Sequence, residues 1–377
     1  MGNTSSVQIE GSGIDSRSGQ SRDLDHDPSW HENLLSGVSR TFALTIPQLP
    51  NGLREAVTNA YLLCRIADTI EDDPLLDPDT KDRFHSTFLQ SVKTGRGADE
   101  FAAELAPQLA PNTLAAEVNL IEECPRVLQI TRGMHPRQRI AIQRCLDTMS
   151  HGMAHFARSR SCDGLADVSE FERYCYFVAG VVGEMLTEIF CDYSPEIDAN
   201  RGQLAPRAVS FGLGLQMTNI LKDIWEDLEH GTCWLPRDVF ERHGYDLKSL
   251  APDHDVNGPA FAASLHDLVD IAHGHLREAL AYTLAIPNNE TGIRRFLIWA
   301  VLLAVSTLGK ISNDPMFTSG TQVKVSRPRV AAIIAGSSSL IRSNEGLTKL
   351  FNTAARELPL DSANGVSAVI RKESTNP

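Results

Sequence analysis

Apolar residues return every three to four positions along nearly the whole chain, the period of helices buried on one face. Segments with this spacing cover about 28–46, 51–72, 79–93, 98–105, 114–130, 135–157, 168–191, 205–228, 259–285, 290–312, 327–341 and 345–356, separated by Pro, Gly and Asp. The strict alternation of a half-buried strand is missing. No repeat period stands out and no linker divides the middle, so the pattern predicts one all-α domain over residues 28–360. Residues 1–27 are rich in Ser, Gly and Asp without an apolar run, which predicts a flexible N-terminal tail rather than a signal peptide. Their opening Met1-Gly-Asn-Thr-Ser-Ser6 matches a myristoylation pattern that is too short to carry weight. Residues 361–377 predict a second tail. The longest apolar run, Phe296 to Val305, is about half of a bilayer span, and Ser306, Thr307 and Lys310 follow it closely, so no transmembrane anchor is expected.

Two acidic interruptions of this pattern carry the chemistry: Asp68-Thr-Ile-Glu71-Asp72 and Asn219-Ile-Leu-Lys-Asp223-Ile-Trp-Glu226-Asp227. Both lie among apolar neighbours such as Leu62, Leu63, Ile66, Leu213, Ile220 and Leu221, where clustered carboxylates are costly unless a cation neutralises them. Residues three and four apart share a helix face. Asp68, Glu71 and Asp72 therefore project together, with Arg65 one turn earlier; Gln216, Asn219, Asp223 and Asp227 form a second stripe flanked by Glu226. A hard divalent cation removes the repulsion between like charges, and magnesium favours carboxylate, carbonyl, water and phosphate oxygens. The two stripes predict a clamp for diphosphate-bound Mg2+, with Asp68, Glu71, Asp72, Asn219, Asp223 and Asp227 as ligands. Two solvated helix faces are the alternative, which the apolar surroundings disfavour.

Charge and cysteine usage narrow the setting. The formal charge of -13 and pI near 5.4 argue against a nucleic-acid surface. The 7 cysteines are scattered without a CxxC pair, implying neither a zinc site nor a disulfide framework and fitting a reducing, cytoplasmic setting. The histidines, His31, His151 and His155 among them, lack metal-ligand spacing.

Five ordered blocks carry a resemblance: Ser39-Arg-Thr-Phe42; Tyr61-Leu-Leu-Cys-Arg65-Ile-Ala-Asp68-Thr-Ile-Glu71-Asp72; Met149-Ser-His-Gly-Met-Ala-His-Phe156; Tyr174-Cys-Tyr-Phe-Val-Ala-Gly180-Val-Val-Gly183; and Gln216 through Asp227. Over roughly residues 30–240, and more weakly to about 340, the chain resembles the squalene and phytoene synthase family. The resemblance implies an isoprenoid synthase helical bundle with a central cavity. It also implies head-to-head condensation of two prenyl diphosphates, with farnesyl diphosphate passing through presqualene diphosphate to squalene with Mg2+ and NADPH. Two alternatives stay open: a phytoene or dehydrosqualene synthase ending in proton loss, and a catalytically silent member serving in assembly or lipid binding, although such relatives usually lose carboxylates that are intact here. Peripheral association with a membrane for product release is the further partner implied; oligomeric state is left open.

Residue roles follow from the same resemblance. Asp68 and Asp223 carry catalysis as metal ligands, together with Arg65 and Tyr174, the last matching a tyrosine placed near the first proton transfer. A phenol is a poor base at its usual pKa, so Tyr174 would act with the leaving diphosphate, or simply form cavity wall. Ser39, Arg40, Phe42, Arg65, Gln216, Asn219 and Lys222 are the substrate-binding candidates. Lys222 stands where the family usually has arginine, replacing a bidentate fork by a point charge; plain intrahelical salt bridges are the bland reading of Arg65 and Lys222. Phe42, Met153, Phe156, Phe177, Val181, Met185, Leu215 and Phe296 are candidate cavity lining, Gly180 and Gly183 are sites of close backbone approach, and Glu184 and Glu188 are expected at the rim or in solvent. Gln322-Val-Lys324-Val-Ser-Arg327-Pro-Arg329 resembles the segment squalene synthases associate with NADPH, so Lys324 and Arg327 are candidates for its 2'-phosphate. Helix punctuation is the alternative.

Overall fold

Pro, Gly and short polar side chains set where the helices begin and end. The computed structural model describes residues 28–250, 258–356 and 358; both expected tails lie outside these residues. The Asn51–Asp72 helix follows Pro50 and stops at the buried Asp73, whose carboxylate accepts from Leu75 N (2.9 Å), Leu76 N (3.2 Å) and Ala110 N (2.7 Å). This turn fixes the end of the first acidic motif. The next helix, Pro78–Thr94, is capped by Asp77 and ends at Gly95, whose φ of 68° suits a residue without Cβ.

The fold is all-α, as the periodicity predicts; among the described residues the only β pairing is an isolated bridge between Leu165 and Pro236. Several boundaries differ from the pattern. The expected 28–46 helix divides at Ser39, whose extended backbone and side-chain acceptance from Phe42 N (3.0 Å) start a new helix. The 114–130 stretch divides at Glu123, because Pro125 has no N–H to continue it. The expected 205–228 helix begins at Arg201, ends at Lys222, and resumes at Ile224–Glu229 after Asp223. Hydrogen bonds from Asp223 N to Asn219 O and from Asp227 N to Asp223 O, both 2.9 Å, carry the acidic stripe across this junction. The 168–193 helix contains a wide π turn at Tyr176–Gly180, a feature frequent near functional sites.

Six long helical stretches build the centre. Arg201–Lys222 packs on Pro259–Ala285, Thr291–Asn313 and Val181–Tyr193, while Pro136–Arg158 packs on Val181–Tyr193 and Asn51–Asp72. Buried Arg294 ties the C-terminal helices to this bundle, donating to Ile341 O (2.8 Å), Ile286 O (2.8 Å) and Asn344 Oδ1 (2.6 Å). Residues 168–193 and 291–313 are each long and apolar enough to cross a membrane by length and composition, although polar residues interrupt their apolar runs. Most of each apolar window, 56% and 72%, is buried in the bundle, where the same residues supply helix packing.

Glycines let two central helices touch backbone to backbone. A Cβ on Gly183 would stand 2.0 Å from Ala208 O, and one on Gly212 would stand 2.1 Å from Ala179 O. Neither neighbour is a side chain that can swing away. Gly212→Ala is expected to destabilise the protein by about 2 kcal/mol or more through overpacking, measured by chemical denaturation; an unchanged midpoint would show that these helices separate freely.

Candidate active site

The bundle encloses a cavity of about 520 Å³, apolar over most of its wall and acidic at one end. Phe42, Val57, Met153, Met185, Phe211, Leu215 and Phe296 line the apolar part. Asp68, Glu71 and Asp72 reach it from one helix, Gln216 and Asn219 from another, Asp223 from the junction at that helix's end and Asp227 from the short helix beyond, so residues separated by about 150 positions share one space. Of the expected lining, Phe156, Phe177 and Val181 lie elsewhere. Phe156 backs Tyr174 edge to face, Phe177 fills the notch left by Gly152, and Val181 is buried in the packing.

Burial dominates the electrostatics of the acidic end. It raises the carboxyls of Asp68, Glu71 and Asp227 to about 7, and raises those of Asp72 and Asp223 as well. Asp68 has 33% of its side chain exposed, but toward the cavity, which shields it from bulk water. Mutual repulsion adds to the effect: Asp223 and Asp72 both push Asp227 up, placing the two acidic walls within each other's field. Cations offset part of this. Arg65 pairs with Glu117 and with Asp68 (3.9 Å), and Lys222 with Asp223 (2.8 Å). Buried Lys81 donates to Glu71 O and attracts its carboxylate from behind.

The donor set suits a hard cation in one respect and limits it in another. Oε2 of Glu71 and of Glu226 are buried without a hydrogen-bond partner, one in each motif. Among the described residues, however, no three of His, Cys, Asp and Glu gather closely enough to cage an ion. Such walls fit a cation that completes its shell with water and phosphate oxygens.

Tyr174 stands between the motifs, its ring stacked on Trp234 at 3.8 Å and 11°. Burial, followed by the fields of Asp72, Asp227 and Glu71, holds its phenol well above the usual value, so the hydroxyl stays protonated and can donate. Two substrate-binding candidates are placed differently: Ser39 caps the Arg40–Thr45 helix and Arg40 is exposed, and neither lines the cavity. Lys324 and Arg327 are also exposed, but Lys324 lies close enough to stabilise ionised Asp223. Their segment docks on the second motif: Phe317 O accepts from Trp225 Nε1 (2.7 Å), and Gly320 N donates to Glu226 Oε1 (3.1 Å). Glu184 is exposed and Glu188 pairs with Arg201. Arg160, Trp234 and Gly320 escape the sequence reading because they lie in connections without a period.

A membership follows from this arrangement and from comparison with known proteins. The squalene/phytoene synthase family model matches residues 35–329, and the chain belongs to that family of prenyltransferase enzymes. It is 30% identical over 332 residues to a squalene synthase of Candida albicans, a match covering 84% of this chain and 68% of that protein. The fold is that of the solved complex of TcSQS with E5700, at TM-score 0.69 and 21% identity over 89% of this chain and 98% of that one. A ligand-bound dehydrosqualene synthase is similar at TM-score 0.54 and 20% identity, covering 84% and 96%.

The raised carboxyls give the site a pH signature. A carboxyl raised on folding stabilises the fold fully below its unfolded value near 4, and that contribution is lost as pH rises through about 7. MgCl2 is therefore expected to raise the melting temperature markedly at about pH 8 and little at about pH 5.5, read by scanning fluorimetry. A shift of equal size at both would remove these carboxyls from metal binding.

Proposed function

We propose that this chain condenses two farnesyl diphosphates head to head, through presqualene diphosphate, to squalene. The observation that carries the proposal is the pair of acidic walls meeting at one end of an otherwise apolar cavity. An isoprenoid chain is met by Phe42, Met153, Met185, Leu215 and Phe296, and its diphosphate by the acidic end. Asp68, Glu71, Asp72, Asn219, Asp223 and Asp227 would hold Mg2+, which when bound supplies Lewis-acid stabilisation to the departing diphosphate.

The chain's own groups then have separable tasks. Arg65 and Lys222 hold the diphosphate end in register and favour the ionised carboxylates beside it, offsetting part of the effect of burial. The apolar wall excludes water from the allylic cation left when the carbon–oxygen bond breaks, so the double bond of the second substrate is the available nucleophile. Proton loss closes the cyclopropane; protonated Tyr174 steadies the diphosphate oxygen that takes the proton, by donating to it. A second ionisation moves the link to C1–C1', and NADPH, when bound, supplies the hydride that ends the sequence. Lys324 and Arg327 would receive its phosphate, from a segment seated against Glu226. A C30 hydrocarbon is insoluble in water, so we place the chain in the cytoplasm with peripheral access to a membrane.

Mass spectrometry of products formed from farnesyl diphosphate and Mg2+, with and without NADPH, tests this directly. Squalene only with NADPH is expected. Dehydrosqualene regardless of NADPH, or phytoene from geranylgeranyl diphosphate, would move the chain to the non-reductive reaction, and no turnover would revive the silent member. Asp68→Asn and Asp223→Asn should each lower turnover by about a hundredfold or more, and near-normal rates would remove them from the clamp. The double change Lys324→Ala, Arg327→Ala should leave presqualene diphosphate accumulating; unchanged squalene output would free the segment of a nucleotide role.

A further inference from the structure

Among the described residues, three cationic side chains line the cavity: Arg65, Arg160 and Lys222. Arg65 is engaged by Asp68 and Glu117, and Lys222 by Asp223. Arg160 is different. It acts through space on Glu71 and Asp72 of one wall and on Asp227 of the other, yet closes on none of them. Among the described residues its hydrogen bond runs from Nε to Thr232 Oγ1.

The position is built into the backbone. Thr232 N donates to Asp227 O (2.9 Å), which links Arg160's partner to the second acidic motif. Cys233 N donates to Ser161 O, Leu165 N to Leu235 O and Arg237 N to Leu165 O, each at 2.9 Å, stitching the connection that carries Arg160 to the segment leaving that motif. Trp234, in the same segment, stacks on Tyr174. Anchoring Nε on a neutral hydroxyl leaves the guanidinium's two terminal amino groups for the cavity. A counter-ion gains most by closing on a carboxylate, as Arg65 does. A planar fork held short of three carboxylates is suited to an incoming phosphate, which it can bind through two parallel hydrogen bonds.

We propose that Arg160 is a further substrate-binding residue, taking the diphosphate group in a forked contact between the two acidic walls, with Thr232 as its positioning residue. The inference rests on the prenyl diphosphate reading of the cavity.

Titration calorimetry of the full chain with inorganic pyrophosphate and MgCl2 tests it, alongside KM and kcat for farnesyl diphosphate and the melting temperature of each variant. Arg160→Ala is expected to weaken pyrophosphate binding and raise KM by about tenfold, while Arg160→Lys, which keeps the charge without the fork, recovers only part of the loss. Thr232→Val is expected to weaken pyrophosphate binding by a smaller factor with the melting temperature unchanged. Arg160→Lys matching wild type in affinity would overturn the fork and leave a counter-ion. Wild-type binding that survives Arg160→Ala within about twofold would overturn the assignment of Arg160 alone, whereas a wild type that neither binds pyrophosphate nor turns over substrate would overturn the diphosphate reading with it.

Discussion

Repulsion among carboxyl groups turned into one enclosed space is the constraint around which this molecule is arranged. Left to themselves, Asp68, Asp72, Asp223 and Asp227 would separate or take up protons, and burial presses toward the second outcome. The fold prevents the first. The helix that ends in the first acids packs against Pro136–Arg158, and the helix that leads into the second packs against three neighbours. Contacts such as those at Gly183 and Gly212 seat the helix that leads into the second motif backbone to backbone against the 168–193 helix. Cations are placed behind and beside the acids: Lys81 beneath Glu71, Arg65 between Asp68 and Glu117, Lys222 on Asp223. The charge is thereby contained without being cancelled, which suits the site to the proposed cation and diphosphate.

The rest of the cavity answers to the opposite requirement. Aliphatic and aromatic residues continue directly from the acidic end, so a molecule with a charged head and a hydrocarbon tail meets matching surfaces along its length. Tyr174 sits where these regimes meet. Burial, reinforced by the field of three acids, keeps its hydroxyl protonated, and Trp234 stacks on its ring, so what it can offer is a directed hydrogen bond rather than a basic oxygen.

Periodicity made the acidic walls legible. Asp68, Glu71 and Asp72 had to share a face because helical spacing leaves no other arrangement, and Asn219, Asp223 and Asp227 kept their stripe even where the helix breaks, because the i to i+4 bonds persist. That the walls would meet was an inference from charge and family pattern. Periodicity failed where contacts depend on connections. Arg160 and Thr232 approach each other across 72 positions through segments with no repeating signal. Phe177 sits in a continuous helical pattern, yet its side chain is directed by the absence of one at Gly152, which spacing along its own helix does not reveal. Ser39 was legible as part of a motif, but its capping role depends on a local break that the apolar pattern runs straight across.

The π turn at Tyr176–Gly180 carries a consequence for how this sequence can vary. It holds more residues than an α turn, and it lies between Tyr174 at the acidic end and Met185 in the apolar wall. Every position after it takes its orientation from the number of residues inside the turn. Loss of a single one would rotate the remainder of the helix by about 100°, carrying Met185 away from the cavity and Gly183 out of its contact with Ala208. Lineages descending from this chain can therefore exchange side chains in the stretch far more readily than they can shorten it, and its length should be inherited more faithfully than its letters.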